Sequence, residues 1–171
     1  MKTRRIVIVL ALLSIYSLTY SQNEWDSWNN NYKEKSITQL IRNERIYADS
    51  VENGLIEGEY YLRMDNYRFQ ATFKGEKRPI PEEILQSMKR VYKAVGQPEY
   101  LSTFDKIKHE YLFEIDGNEY WFPIQPILEK PLKKEINKNE KVYLYCLFLN
   151  EHTIKKELYN TLFISEFKKE Y

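Results

Sequence analysis

Tyr67-Arg68-Phe69-Gln70-Ala71-Thr72-Phe73-Lys74 alternates apolar and polar side chains without a break. A two-residue period sends one set to a core and the other to water, so the stretch predicts a strand of a half-buried sheet. Just upstream, Glu59 to Met64 is rich in β-forming residues, and Asp65-Asn66 between the two runs has turn chemistry. The pattern reads as a hairpin over about residues 58–75, ended by Gly75.

The same period returns further along. Tyr111 to Ile115 and Glu119 to Ile124 flank Asp116-Gly117-Asn118, a strong hairpin signal, and Pro123 predicts an end or an edge position for the second strand. Val142 to Leu149 has almost no polar position and predicts a central strand covered on both faces. Thr161 to Phe167 reads as the last strand, after a polar loop over Asn150 to Leu158 that contains His152.

Two stretches change to the helical period. Ser36 and Gln39 fit a capping box ahead of Ile37, Leu40, Ile41, Tyr47 and Val51, which predicts a helix over 36–52 with one apolar face. Pro81, Glu82 and Glu83 begin a second, over 81–95, with Lys89, Arg90 and Lys93 toward its end and Gly96 and Pro98 to stop it. Its buried stripe is Ile84, Leu85, Met88, Val91, Tyr92 and Val95. Residues 126–136 have helical spacing, and Pro131 limits them to a short or kinked helix.

These elements predict one α+β domain over residues 36–171. It is either a curved antiparallel sheet or a partly open OB-like barrel of five or six strands, packed against the two amphipathic helices, with the 126–136 helix plugging one end. Within residues 118–167, Tyr120-Trp121-Phe122-Pro123-Ile124-Gln125, a short helix, Lys141-Val142-Tyr143-Leu144-Tyr145 and Leu162-Phe163-Ile164-Ser165-Glu166-Phe167 follow in order. This order resembles the ending of some uncharacterised secreted bacterial proteins, and is similar to the second half of a small five-stranded OB-type barrel. The resemblance implies a topology and carries no catalytic residue, since such barrels host unrelated roles.

Residues 1–21 have a different character. Lys2, Arg4 and Arg5 precede the apolar run Ile6 to Leu13, and Thr19 and Ser21 flank Tyr20, which is the anatomy of a secretory signal peptide cut after Ser21. The alternative is an N-terminal membrane anchor, for which the apolar run is short. Residues 22–35, polar and rich in asparagine around Trp25 and Trp28, read as a flexible linker. The expected address is secreted or periplasmic.

Cleavage would leave 23 Lys and Arg against 25 Asp and Glu, because Lys2, Arg4 and Arg5 depart with the leader. A mature charge of −2, with both signs interspersed, gives no reason to expect nucleic acid as a partner or stable membrane insertion. Cys146 is the one cysteine and sits among Leu144, Leu147 and Phe148, which predicts a buried apolar residue.

Chemistry is harder to find. His109-Glu110 begins a zinc-protease pattern, but Phe113 stands where the second histidine belongs. No serine lies in a Gly-x-Ser-x-Gly elbow, and the five glycines are too scattered for a phosphate loop. No metal site and no cofactor is expected. Glu57 with Glu59, or Glu110 with Glu114, share a strand face as a carboxylate pair would, so an envelope hydrolase is one reading. The preferred one is a non-catalytic binding protein whose contact surface is Tyr60, Tyr61, Tyr67, Tyr120 and Trp121, with an unidentified protein or glycan of the cell envelope as its partner. An inhibitor or immunity-like protein that binds an enzyme is a third.

Overall fold

The computed structural model describes residues 25–170. The leader read over 1–21 lies outside them. Two compact units divide the chain, Met1–Lys33 and Glu34–Tyr171. In the first, residues 25–31 form a helix, α1, and the Trp28 and Tyr32 rings lie 5.2 Å apart. This helix lies within the stretch 22–35 read as a linker. Trp25, Trp28 and Tyr32 recur at three and four residues, a one-sided aromatic stripe whose neighbours support a helix despite poorly helix-forming asparagines.

Glu34 opens the second unit and ends the two-residue strand β1 (Lys33–Glu34), which pairs with β2 (Tyr61–Pro79). Between them runs α2 (Ile37–Glu52), where the Ser36 hydroxyl accepts the Gln39 N–H at 3.4 Å, as the cap signal predicts. After β2 come α3 (Glu82–Ala94), the 3-10 turn Pro98–Tyr100 and α4 (Leu101–Phe104). The strands β3 (His109–Ile115) and β4 (Asn118–Pro123) form a hairpin turned by Asp116 at φ 51° and Gly117 at φ 75°. A 3-10 turn, Pro126–Leu128, leads into α5 (Glu129–Glu135), where Pro131 falls in the first turn and needs no N–H donor. The strands β5 (Lys141–His152) and β6 (Leu158–Lys169) complete the chain.

The sheet order is β4-β3-β2-β5-β6, antiparallel at each of these pairings. The expected 58–75 hairpin is corrected here. Asp65 and Asn66 do not turn but pair with Phe148 and Leu147, in a ladder unbroken from Tyr61 opposite His152 to Thr72 opposite Lys141. A turn dipeptide loses to a strand when a distant partner offers every residue a ladder position. Gly75, at φ 75°, does not end the strand either. It lies in the register shift between Phe73 and Lys77, a bulge within the ladder of β2 with β3.

Curvature brings the sheet edges together at one point. Ile124, just after β4, forms a parallel bridge with Ile164 of β6, and the Gln125 N–H donates to the Ile164 carbonyl at 3.3 Å. Elsewhere the sheet stays open, so the domain is an α+β fold on a curved antiparallel sheet that does not close.

Both faces of the sheet carry a core. The concave face gathers Phe69, Phe113, Phe122, Leu144, Phe148 and Ile164, with Ile37 of α2 and Leu132 of α5 fully buried against them. On the other face, Met88, Val91 and Tyr92 of α3 and Phe104 of α4 pack with Leu149 and Phe163. Residues of β5 alternate between the two, Leu144, Cys146 and Phe148 inward and Leu147 and Leu149 outward. Burial of each such side chain stabilises by roughly 1.5–3 kcal/mol. The buried Cys146 thiol is pushed well above its ordinary range by desolvation. No helix among the described residues is long and apolar enough to cross a membrane.

Candidate functional site

The five aromatics read as a contact surface do not share one, because neighbouring residues of a strand face opposite ways. Tyr60 and Tyr61 meet around His152, with ring centroids 4.7 and 5.9 Å from its imidazole. Tyr67 packs against Phe148 at 6.0 Å, and Tyr120 stacks on Phe122 at 6.3 Å with its hydroxyl 3.3 Å from that of Thr38. Both lean on the concave core. Trp121 faces the other way, under the Arg78 guanidinium at 4.3 Å. Tyr60 is the most exposed ring of the five, at 38%.

The half-buried Tyr61 joins a polar cluster around the buried Glu44 and His152. The Tyr61 hydroxyl donates to Glu44 at 2.5 Å, and Arg63 donates to the same carboxylate. Burial, then the hydrogen bond to Glu44, pushes the Tyr61 phenol far above its ordinary value. His152 is not in a loop, as its polar neighbours in sequence imply, but ends β5 with its ring buried and Nε2 3.0 Å from Glu52. Helix α2 is thereby tied to the sheet.

The carboxylates of the hydrolase reading are occupied separately. Glu110, buried beside Leu112 and Tyr111, is held by Arg78; burial raises its carboxyl and the guanidinium opposes that. Glu114 accepts from Lys74 at 2.9 Å. Glu57 and Glu59 fall in the exposed connection from α2 to β2. Glu83, Glu151 and Glu157 do line one cavity of about 430 Å³, where Arg90 grips Glu151 through both oxygens at 2.6 and 2.8 Å. His109 is paired with Glu129 at 3.3 Å. Among the described residues no three or more His, Cys, Asp or Glu side chains gather as a metal site would need.

The arrangement with the chemistry of a ligand site lies where the sheet edges meet. A cavity of about 310 Å³ is lined by Tyr92, Gln97, Tyr100, Thr103, Phe104, Gln125 and Phe163. The stop signal Gly96-Gln97-Pro98 ends α3, with Gly96 at φ 78°, and throws the chain into the 3-10 turn and α4. That places Tyr100 and Phe104 four residues apart beside Tyr92, whose ring lies 4.5 Å from Phe104 and 6.3 Å from Tyr100. From the opposite side, the bridge at Ile124 fixes Gln125 beside Phe163.

Phe104, Phe163 and Tyr92 are buried and form an aromatic floor, while Tyr100 is 52% exposed at the rim. The side chains of Gln97, Thr103 and Gln125 make no hydrogen bond among the described residues, so two amides and a hydroxyl remain to meet a ligand. No charged residue lines the cavity. Sequence reasoning placed Tyr92 in a helix stripe and passed over 100–108; the Tyr100 and Phe104 pair after a helix stop was the available signal.

No family model matches this chain, and no curated protein matches it in sequence.

Proposed function

We propose that this is a non-catalytic binding protein acting outside the cytoplasm, secreted or periplasmic, which holds a neutral saccharide unit of the cell envelope in the aromatic cavity. One observation carries the reading: an uncharged rim of Gln97, Thr103 and Gln125 above the rings of Tyr92, Tyr100, Phe104 and Phe163. A sugar ring has an apolar C–H face that stacks on aromatics and hydroxyls that pair with amides, and this cavity presents both complements. The charged-then-apolar pattern of residues 1–21 supports the exported address.

Isothermal titration with N-acetylglucosamine oligomers and other neutral envelope oligosaccharides tests the assignment. Saturable binding is expected for at least one. Tyr100→Ala, which removes a half-exposed ring, should weaken it by about tenfold, the worth of one stacking contact, with an unchanged melting temperature. No binding by any of them, or parental affinity in Tyr100→Ala, would refute the assignment.

A further inference from the structure

A second cavity, of about 390 Å³, lies beside α5 and shares no residue with the aromatic one. Its floor is apolar, with Phe73, Tyr111 and Ile136 all buried and the two rings 6.2 Å apart. Its rim is cationic: Lys77 from β2, Lys133 from α5 and Lys138 from the turn that follows. Lys133 lies 3.8 Å from Glu129 and 5.6 Å from the Tyr111 ring centroid. Lys77 and Lys138 make no side-chain ion pair or hydrogen bond among the described residues. Two of the three rim lysines thus have no carboxylate partner among the described residues, while Glu129 serves the third and also accepts the Tyr111 hydroxyl at 3.0 Å.

The backbone beneath them is fixed in advance. Asn139, at φ 68°, donates its N–H to the Phe73 carbonyl at 2.6 Å, and the Phe73 N–H donates to the Glu140 carbonyl at 3.0 Å, so the turn is clamped to β2 at its bulge. Gly75 brings the bulge so close that a Cβ there would lie 3.1 Å from Lys138 Cβ. The acid of this turn, Glu140, points elsewhere: its carboxylate accepts the Asn137 N–H at 2.8 Å and side-chain amide at 3.0 Å, and pairs with Lys169 at 2.9 Å. Rigid elements that hold unpaired charges around a cavity describe a preformed site.

We propose that this cavity binds an acidic sugar unit, with its carboxylate or phosphate on the lysine rim and its ring against the Phe73 and Tyr111 floor. A neutral sugar would offer the lysines no partner charge. A bare anion would leave the apolar floor wet.

Amide-resolved NMR titration of the protein with glucuronate, glucose 6-phosphate, glucose and inorganic phosphate tests this. Both acidic sugars should shift Lys77 and residues 136–140 saturably, and glucose 6-phosphate should bind at least about fivefold tighter than phosphate, from ring contact. Glucose should leave those amides in place. Lys77→Gln with Lys138→Gln removes two exposed charges, so the fold should keep its melting temperature while acidic-sugar affinity falls about tenfold. Tyr100→Ala should leave this binding untouched, which separates the outcome from that of the aromatic cavity. Absence of binding by both acidic sugars, equal shifts with glucose, phosphate as tight as the phosphosugar, or parental affinity in the double variant would each overturn the proposal.

Discussion

Arg78→Ala should destabilise the protein strongly at neutral pH and weakly in mild acid. Glu110 keeps only 3% of its side-chain surface in water, while Arg78, its partner, keeps 47% and also covers Trp121. Stripping one partner from a fully buried pair costs about 3–5 kcal/mol, because a charge remains without compensation. Here the guanidinium is half in water, so solvent screening reduces that to about 2 kcal/mol, and loss of the stack on Trp121 adds about 0.5–1 kcal/mol. The total is a large part of a domain's usual 5–15 kcal/mol.

The pH dependence has a definite sign. The Glu110 carboxyl is already raised by burial, so the folded protein holds that proton more tightly than the unfolded chain, and stability falls as pH rises through the interval between the two values. Removing Arg78 raises the folded value further, which widens the interval and deepens the loss above it. Urea denaturation of the parent, Arg78→Ala, Arg78→Lys and Glu110→Gln at pH 7 and pH 4 measures this. The alanine deficit should shrink to about 1 kcal/mol at pH 4. Glu110→Gln should cost less than Arg78→Ala at pH 7, since it leaves the remaining charge half-hydrated rather than buried. A deficit for Arg78→Ala equal at both pH values would refute the electrostatic account and leave the Trp121 stack as the cause.

Other elements give further expectations. The Cys146 thiol should react with an aromatic disulfide reagent only as fast as the protein unfolds, and Cys146→Ser, which buries a hydroxyl among Leu144 and Phe148, should cost roughly 1–3 kcal/mol by urea denaturation. Gly75→Ala and Gly117→Ala share a φ of 75°, worth about 1–2 kcal/mol of strain each, but Gly75 alone meets a neighbour, Lys138, so it should be the more destabilising in a thermal melt. Glu140 is held down to about 2 by Asn137 and Lys169, so its stabilising contribution is present above the ordinary carboxylate range and is lost as pH falls toward 2. Glu140→Gln should therefore flatten the acid limb of a stability profile measured between pH 7 and pH 2.

Elements with local signals were legible in the sequence. The cap at Ser36, the turn at Asp116-Gly117 and the stop at Gly96 each satisfy their own backbone, and all three recur in the structure. The unbroken apolar run at Val142 to Leu149 also told correctly of a strand covered on both sides. What failed was non-local. Asp65-Asn66 has turn chemistry, and only the distant β5 keeps it straight. His152 sits among polar neighbours in sequence, yet Glu52 and two tyrosines close over it. The aromatics of the two predicted hairpins were correctly seen as dense, but strand alternation divided them between faces. The aromatic cavity takes side chains from α3, α4, β6 and the bridge after β4, a convergence that no window of sequence contains.

The long β2 has a consequence for how the protein is made. Its first residue pairs with His152 and its later ones with the much nearer β3, so half of this strand has no partner until most of the chain exists. Closing so large a loop before any ladder bond rewards it slows folding, toward the millisecond-to-second range of β-rich topologies. Until β5 arrives, Tyr67, Phe69 and Ala71 stand on an unpaired apolar edge, the kind of segment that joins other chains when it waits too long. The charges interspersed along that part of the strand, Arg63, Asp65 and Arg68, are then its own protection against aggregation.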